Sequence, residues 1–330
     1  MRRNRQNSWS CLSKTIIISS FAVFWKLWIK SCVYCGSKIT QNYGLQNGKQ
    51  RSKCYICKKV FIAKIRKTDE EIWVLYSEGK QTYSQLAKQE GCSVRTIQRI
   101  IDRASIKQSE VKARSVIVLT DTTYWGRNFG VMLFKDAITG ENLYKRYVKH
   151  ETIMLYREGF EVLFNLGFTI KGIVCDGKKG LLQMYPGIPT QMCQFHQKLI
   201  IRRYLTKKPK MQASIELLEL TKILTKTDKE SFVGGLNQWY DKWEDFLNER
   251  SYATFKKKSA YKHKRLRSAY NSLKRNLPYL FVWYDHYELN IPNTTNAIDG
   301  HFSDLKNKLR CHNGLTEERK KKFIDGFLKV

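Results

Sequence analysis

The sequence predicts an α/β chain. A mixed sheet is covered by helices, an all-α insertion interrupts it, and two small modules precede it. Three observations carry that expectation. Short apolar runs of strand length alternate with amphipathic helical stretches between residues 111 and 205. From 206 to 290 the apolar spacing becomes almost wholly helical. Two Cys-x-x-Cys pairs fall within the first 60 residues, a spacing that suits a metal-stapled ribbon.

Composition narrows the function. At 330 residues the chain has room for about two domains. The hydrophobic fraction of 42% and aromatic fraction of 13% exclude wholesale disorder, which needs low hydrophobicity. Lys and Arg number 60 against 29 Asp and Glu, a formal net charge of +31. That excess argues against a soluble enzyme of small metabolites. It points to a polyanionic partner, nucleic acid first and an anionic membrane second. No acid precedes Asp69, and residues 1–68 hold 15 of the basic residues.

Residues 1–30 read as an N-terminal extension. Thr15 to Ile29 is mostly apolar behind Arg2, Arg3 and Arg5, which resembles a signal peptide superficially. Lys26 interrupts it, no small-residue cleavage site follows, and a bilayer span needs about 20 apolar residues. No membrane association is expected there or elsewhere.

Residues 31–67 are expected to form a zinc ribbon. Cys32-x-x-Cys35 and Cys54-x-x-Cys57 are separated by 18 residues, within the range for a four-cysteine Zn²⁺ site. Each knuckle aims two thiolates at one ion, and Gly44 and Gly48 suit the intervening hairpin. Two redox motifs are the competing reading, but no thioredoxin-like βαβ pattern surrounds them. The other five of the nine cysteines are scattered, which is not a disulfide framework and favours a reducing cytoplasm.

Residues 68–110 have a helix-turn-helix layout. Ile72, Leu75 and Tyr76 recur at helical spacing, Leu86 and Ala87 mark a short helix, Gly91 permits a turn, and Ser93 can cap the next helix. Val94, Ile97 and Ile101 form the expected buried stripe of that helix. Arg95, Thr96, Gln98 and Arg99 face outward, as in a helix presented to a DNA major groove. An ordinary helical hairpin is the alternative.

Residues 111–205 carry the sheet. Val116 to Leu119 is an apolar strand ending at Asp121. Phe129 to Phe134 and Asn142 to Val148 are two more strands, with a turn near Gly140. Ile153 to Leu166 is an amphipathic helix. Thr169 to Cys175 is a strand ending at Asp176, Thr190 to Phe195 a fifth strand, and Leu199 to Leu205 a helix. The order suggests a mixed sheet of ribonuclease H type.

Residues 206–290 read as the all-α insertion. Trp239, Trp243 and Phe246, at i, i+4 and i+7, make a core stripe. Lys256 to Arg275 holds nine basic residues and no acid, interleaved with Phe255, Tyr261 and Tyr270. Basic residues mixed with aromatics suit a nucleic-acid surface, with Lys256, Lys257, Lys258, Lys262, Lys264, Arg265 and Arg267 as contacts. A solvated helix face is the alternative. Residues 291–330 return to the sheet as helices, with Ile298, Phe302, Leu305 and Leu309 as a buried stripe.

Asp121 and Asp176 each close an apolar strand, and sites of open α/β sheets are built at such carboxyl ends. Either alone could be a turn residue. Asp299 lies on a face of its helix beside the buried stripe, with Asn296 and Ser303, where it can reach the sheet edge. Three carboxylates around one point can hold two Mg²⁺ ions, the arrangement that clamps both oxygens of an in-line phosphoryl displacement.

These residues resemble a family. Cys32-x-x-Cys35, GKQRSKCYICKKVF, LTDTTYWGRNFGV, GIVCDGKKGL, QMCQFHQ and IPNTTNAIDGHFSDLK, with the helix-turn-helix between, resemble insertion-sequence transposases of the Mutator-like DDE group, in the branch with an N-terminal zinc ribbon. The likeness runs from about residue 31 to the C-terminus. It implies a ribonuclease H-like catalytic domain, with an all-α insertion before the third acid, that cuts and joins DNA using two Mg²⁺ or Mn²⁺ ions. Asp121 and Asp176 match the first two family aspartates. Cys193 and His196 match the Cys-x-x-His motif that follows the second aspartate; the pair could bind a metal, but two ligands alone make a poor zinc site, so the expectation is that they sit beside the acids and order them or the DNA, with buried packing as the other reading. Asn296-x-x-Asp299 occupies the place of the family's Asn-x-x-Glu. That is a departure, since Asp is one methylene shorter and Mg²⁺ demands near-ideal geometry.

Three functional expectations follow. The first is a DNA transposase acting on terminal inverted repeats and target DNA, a homo-oligomer on that DNA, in a prokaryotic cytoplasm at the nucleoid. The second is a catalytically weakened relative that still binds DNA. The third is a zinc-ribbon and helix-turn-helix transcription regulator, against which about 200 further residues of sheet and helix weigh.

Overall fold

The computed structural model describes residues 31–46, 49–62, 67–252 and 259–330. The N-terminal extension 1–30 and Lys256, Lys257 and Lys258 therefore lie outside the described residues. The chain divides into two compact units, residues 1–67 and 68–330.

The first unit is a small antiparallel sheet of β1 (Thr40–Gln46), β2 (Lys49–Cys54) and β3 (Val60–Ile62), in that order. Its buried centre is Cys32, Cys54 and Phe61, with Cys57 packed against them.

The second unit begins with α1 (Asp69–Ser77), α2 (Tyr83–Glu90) and α3 (Val94–Arg103). Local chemistry sets their ends. Thr82 and Gln85 form a reciprocal capping box on α2, Gly91 takes a left-handed conformation (φ 57°), and the Ser93 hydroxyl accepts from the Thr96 amide at 3.1 Å. Leu86, Ile97 and Ile101 are buried as expected, but Val94 is 40% exposed. It is the first residue of α3, and helical side chains lean toward the N-terminus, here past the end of the packed surface.

The sheet that follows contains β4 (Ser115–Tyr124), β5 (Gly130–Asp136), β6 (Asn142–Val148), β7 (Thr169–Cys175) and β8 (Thr190–Met192), with α4 (Ile153–Asn165) between β6 and β7. Its order is β6-β5-β4-β7-β8. Tight turns join β4 to β5 and β5 to β6, which forces antiparallel pairing. The α4 crossover places β7 parallel to β4, and β8 adds parallel to β7. Every residue of β5 is buried, because both faces are covered. On one face Tyr156, Phe160 and Leu163 of α4 pack on Val116, Met132 and Phe134. On the other, Val131 and Leu133 meet the C-terminal helices.

The fifth strand is shorter than expected. It stops at Met192, and α5 (Gln194–Leu205) starts where a strand reads from sequence. The side chains of Gln191 and Gln194 both donate to the Leu280 carbonyl, and the Gln194 amide donates to Asn293. Buried polar tethers thus turn the chain into a helix, which apolar alternation cannot reveal.

The insertion holds α6 (Gln212–Ile223), α7 (Lys229–Asn248), a short hairpin of β9 (Arg250–Tyr252) and β10 (Ser259–Tyr261), and α8 (Lys264–Leu280). The hairpin corrects the almost wholly helical expectation; three-residue strands carry too little alternation to read. Trp239 is buried and Trp243 and Phe246 pack against the same core, which includes Leu217, Phe232, Leu266 and Leu273.

After α9 (Val282–Asp285), α10 (Asn296–Arg310) and α11 (Glu317–Leu328) complete the unit. Ile298, Phe302, Leu305 and Leu309 of α10 share one core with Ile72 of α1, Leu86 of α2 and Ile97 of α3. Arg319 pairs with Asp102 through two contacts at 2.7 and 3.0 Å. Gly326 leaves room for the Trp73 ring, whose Cζ2 would lie 2.4 Å from an added Cβ. Helices α1 to α3 are therefore built onto the sheet-bearing unit. Among the described residues, no helix is long and apolar enough to cross a membrane.

Candidate active site

The site forms where β4, β7, α5 and α10 converge. In the parallel register Leu119 lies opposite Val174. Two residues further on, Asp121 on β4 and Asp176 just beyond β7 come abreast at the carboxyl edge. His196 projects from the first turn of α5 and Asp299 from the first turn of α10. Ligand atoms of Asp121, His196 and Asp299 all lie within 4.8 Å of one another. Asp176 is outside that group but near enough to act electrostatically on Asp121.

Burial pushes the Asp121 carboxyl up to about 7, with Asp299 and Asp176 adding to the effect and His196 opposing it. Burial also raises Asp176, helped by Glu151. The hydrogen bond with Cys193 raises His196 to about 9, with further support from Asp121 and Asp299. For Cys193, burial acts upward but is outweighed by hydrogen bonds from His196 and Thr295, so its thiol is lowered. Cys193 first, and then the neighbouring Asp121 and Asp299, thus favour the protonated imidazole at this site.

Thr295 organises this group. Its backbone N–H donates to Cys193 Sγ at 3.3 Å. Its hydroxyl lies 3.1 Å from Asp299 Oδ2 and 3.2 Å from Cys193 Sγ, and it has one proton to give to either. Asn296, the expected member of that motif, starts α10 and is exposed. Sequence reasoning missed Thr295, although it stands inside the quoted NTTNAID segment. It also missed Glu151, 3.3 Å from Lys178 Nζ and bonded by the Tyr156 hydroxyl at 2.7 Å. Nothing in the local pattern marks Glu151; only the return of the chain past β7 brings it to Asp176.

The donor set fits a divalent cation. Two carboxylates and one imidazole suit Mn²⁺ at least as well as Mg²⁺, which prefers oxygen alone. Binding must displace protons from His196 and Asp121. In metal-free protein the raised His196 contributes stability below about 6.5 that is lost as pH rises through about 9. The raised Asp121 costs stability as pH climbs from its ordinary range through about 7. The Mn²⁺-induced rise in Tm is therefore expected to be larger at pH 9 than at pH 6. A metal effect independent of pH would remove these two groups from the ligand set.

In the first unit, Cys32, Cys35, Cys54 and Cys57 also lie within 4.8 Å of one another. Cys32 and Cys57 sulfurs are 3.4 Å apart and Cys35 and Cys54 sulfurs 3.6 Å. A disulfide needs about 2.05 Å, whereas four thiolates at about 2.3 Å from Zn²⁺ stand about 3.8 Å apart. The Cys57 backbone N–H, with that of Ile56, holds the Cys54 thiol down at about 6, ready to ligate.

The expected DNA contacts divide. Arg95 and Arg99 are exposed on α3, while Thr96 and Gln98 are half-buried and the Thr96 hydroxyl is 3.0 Å from that of Ser93. Lys262 pairs with Glu249 at 3.4 Å. Arg267 donates to the Leu247 carbonyl at the end of α7 and stacks on Tyr261. Lys264 and Arg265 line an open cleft.

No known protein family matches this chain, and no curated protein matches it. Among solved structures, the simian T-cell lymphotropic virus intasome in complex with PP2A regulatory subunit B56 gamma aligns with a TM-score of 0.20 and 12% identity. That alignment covers 61% of this chain and 68% of the other, and the likeness is too slight to assign a fold.

Proposed function

We propose that the chain is a DNA transposase with a ribonuclease H-like catalytic core, of the Mutator-like DDE type its motifs resemble. The observation that carries this reading is the convergence of Asp121, His196 and Asp299 at one sheet edge, with Asp176 beside them. The strand order β6-β5-β4-β7-β8, with three antiparallel strands followed by two parallel ones, supports it. So does the +31 charge.

In this reading Asp121, Asp299 and His196 would hold one divalent ion, and Asp176 would help to hold a second. Bound there, such ions would activate water and stabilise the charge of an in-line phosphoryl displacement. Thr295 fixes Asp299, and Cys193 fixes His196. The chain would act as a homo-oligomer on inverted repeats and target DNA. The shorter Asp299, already engaged by Thr295, keeps a second reading in view: a weakened relative that grips DNA without cutting it.

The test is a supercoiled plasmid carrying the DNA that flanks the gene. Purified protein should nick it at fixed positions with Mg²⁺ or Mn²⁺ and not with chelator. Normal binding without metal-dependent nicking would favour the weakened relative.

The α3 helix gives a separate expectation. Arg95→Ala or Arg99→Ala should reduce discrimination for the element's end more than affinity for random duplex. Binding should weaken with salt by about 0.9 in log–log slope for each phosphate neutralised. Equal losses on specific and random DNA would confine α3 to phosphate contacts.

A further inference from the structure

A cleft of about 600 Å³ lies between α5 and α8, and Gly177 is among the residues that line it. Gly177 directly follows Asp176, so the cleft opens beside the proposed catalytic edge. Arg203, Lys264, Arg265 and Arg275 line it, and no carboxylate does. Arg203, Lys264 and Arg275 are exposed and make no ion pair among the described residues; Arg265 donates to the Arg203 carbonyl at 2.8 Å and keeps its charge.

The floor is polar and ordered. Ser272 and Asn276 are buried there. Asn276 donates to Gln197 Oε1 at 2.8 Å, and Gln197 Nε2 lies 3.4 Å from Ser272 Oγ. Gln197 is the neighbour of His196 on α5. The cleft floor and the helix bearing a site residue are thus one hydrogen-bonded body. Tyr204 adds an aromatic ring to the wall.

We infer that this cleft holds an unpaired strand of DNA next to the reacting phosphodiester. Four cations without a carboxylate select a polyanion, and serine hydroxyls suit phosphate oxygens. A ring beside a basic groove is the combination that binds single strands without regard to sequence. Gly177, which lines the cleft and follows Asp176, sets the path: a strand leaving the metal-binding edge enters between α5 and α8. This inference rests on the transposase reading for its substrate but concerns a separate surface.

The experiment compares two fluorescent probes in chelator with the full chain: a blunt duplex, and the same duplex with a short oligothymidine tail. Wild-type protein should bind the tailed probe roughly tenfold more tightly, the scale of one stacked base. Arg203→Ala/Arg275→Ala should abolish that gain and leave blunt-duplex affinity within about twofold. Its log–log salt slope on the tailed probe should fall by about 0.7 for each arginine removed. Both side chains are exposed, so an unchanged Tm is expected and checks the fold. Equal affinity of wild type for both probes, or equal loss on both in the variant, would overturn the inference. Tail preference without any metal-dependent nicking would keep the cleft and sink the transposase reading; nicking without tail preference would do the reverse.

Discussion

Asp121→Ala and Asp176→Ala are each expected to lower metal-dependent nicking by about a thousandfold or more while leaving DNA binding intact. Each removes a carboxylate from the edge where the divalent ions would act, and metal stabilisation of a phosphoryl transition state is worth several kcal/mol, with tenfold in rate for each 1.36 kcal/mol. Binding should survive because neither substitution touches the exposed arginines of α3 or the basic side chains that line the α5–α8 cleft. Metal-dependent thermal stabilisation should fall in the same variants, which separates a lost ligand from a lost fold. Asp299 is the more informative position. Its carboxylate is short for the family pattern, and Thr295 holds one of its oxygens at 3.1 Å. If that contact compensates for reach, Asp299→Glu will overshoot and nick more slowly. If Asp299 is a compromised ligand, Asp299→Glu will keep or raise the rate. Wild-type nicking in Asp299→Ala would place the third acid elsewhere, with Asp304 or Asp285 next to test.

How far the sequence reached depended on whether a feature was local. β4 and β7 were legible because each carries an apolar run followed by an Asp, although β4 continues past Asp121 to Tyr124 by pairing with β5, and α10 because Ile298, Phe302, Leu305 and Leu309 keep helical spacing. The turn before α3 was legible from Gly91 and Ser93, whose conformations are set by their own backbone and side chain. The β8–α5 boundary was not, because Gln191 and Gln194 are buried by partners some 90 residues away on the chain. A buried glutamine such as Gln191, whose amide oxygen and nitrogen are both bonded, looks polar in sequence and behaves as core in the fold.

The same division runs through the candidate site. Asp121 and Asp176 could be named because each follows an apolar strand run, and Asp299 because it lies on a helix face beside the buried stripe of α10. His196 could be expected beside the acids, but that its ring joins Asp121 and Asp299 in one group that leaves out Asp176 could not, since it depends on the angle at which α5 leaves the sheet. That geometry changes the chemistry from three carboxylates to two and an imidazole, and shifts the expected metal toward Mn²⁺. The basic run after residue 255 also resolves only in three dimensions. Lys262 and Arg267 serve the α7–α8 hairpin, whereas Lys264 and Arg265 join Arg203 and Arg275 around one cleft.

Cys54→Ser is expected to unfold the N-terminal ribbon and leave residues 68–330 folded. The described first unit buries little beyond Cys32, Cys54 and Phe61. A core that small cannot offset the conformational entropy of its chain, and units of this size rely on staples. Structural Zn²⁺ contributes about 10–16 kcal/mol in zinc-finger peptides, far more than one aromatic side chain supplies. Wild-type protein should carry one Zn²⁺ per chain by elemental analysis, and Cys54→Ser should carry much less. The second unit has its own cores and its own sheet, so its melting should persist in the variant. Limited proteolysis should then cut within residues 31–67 of Cys54→Ser and spare the rest. Cys54→His restores a good zinc ligand and should recover much of the protection. Absence of zinc from protein purified without chelator, or a protease-resistant ribbon in Cys54→Ser, would mean that the four thiols are held together by packing alone, which the small core gives no means to do.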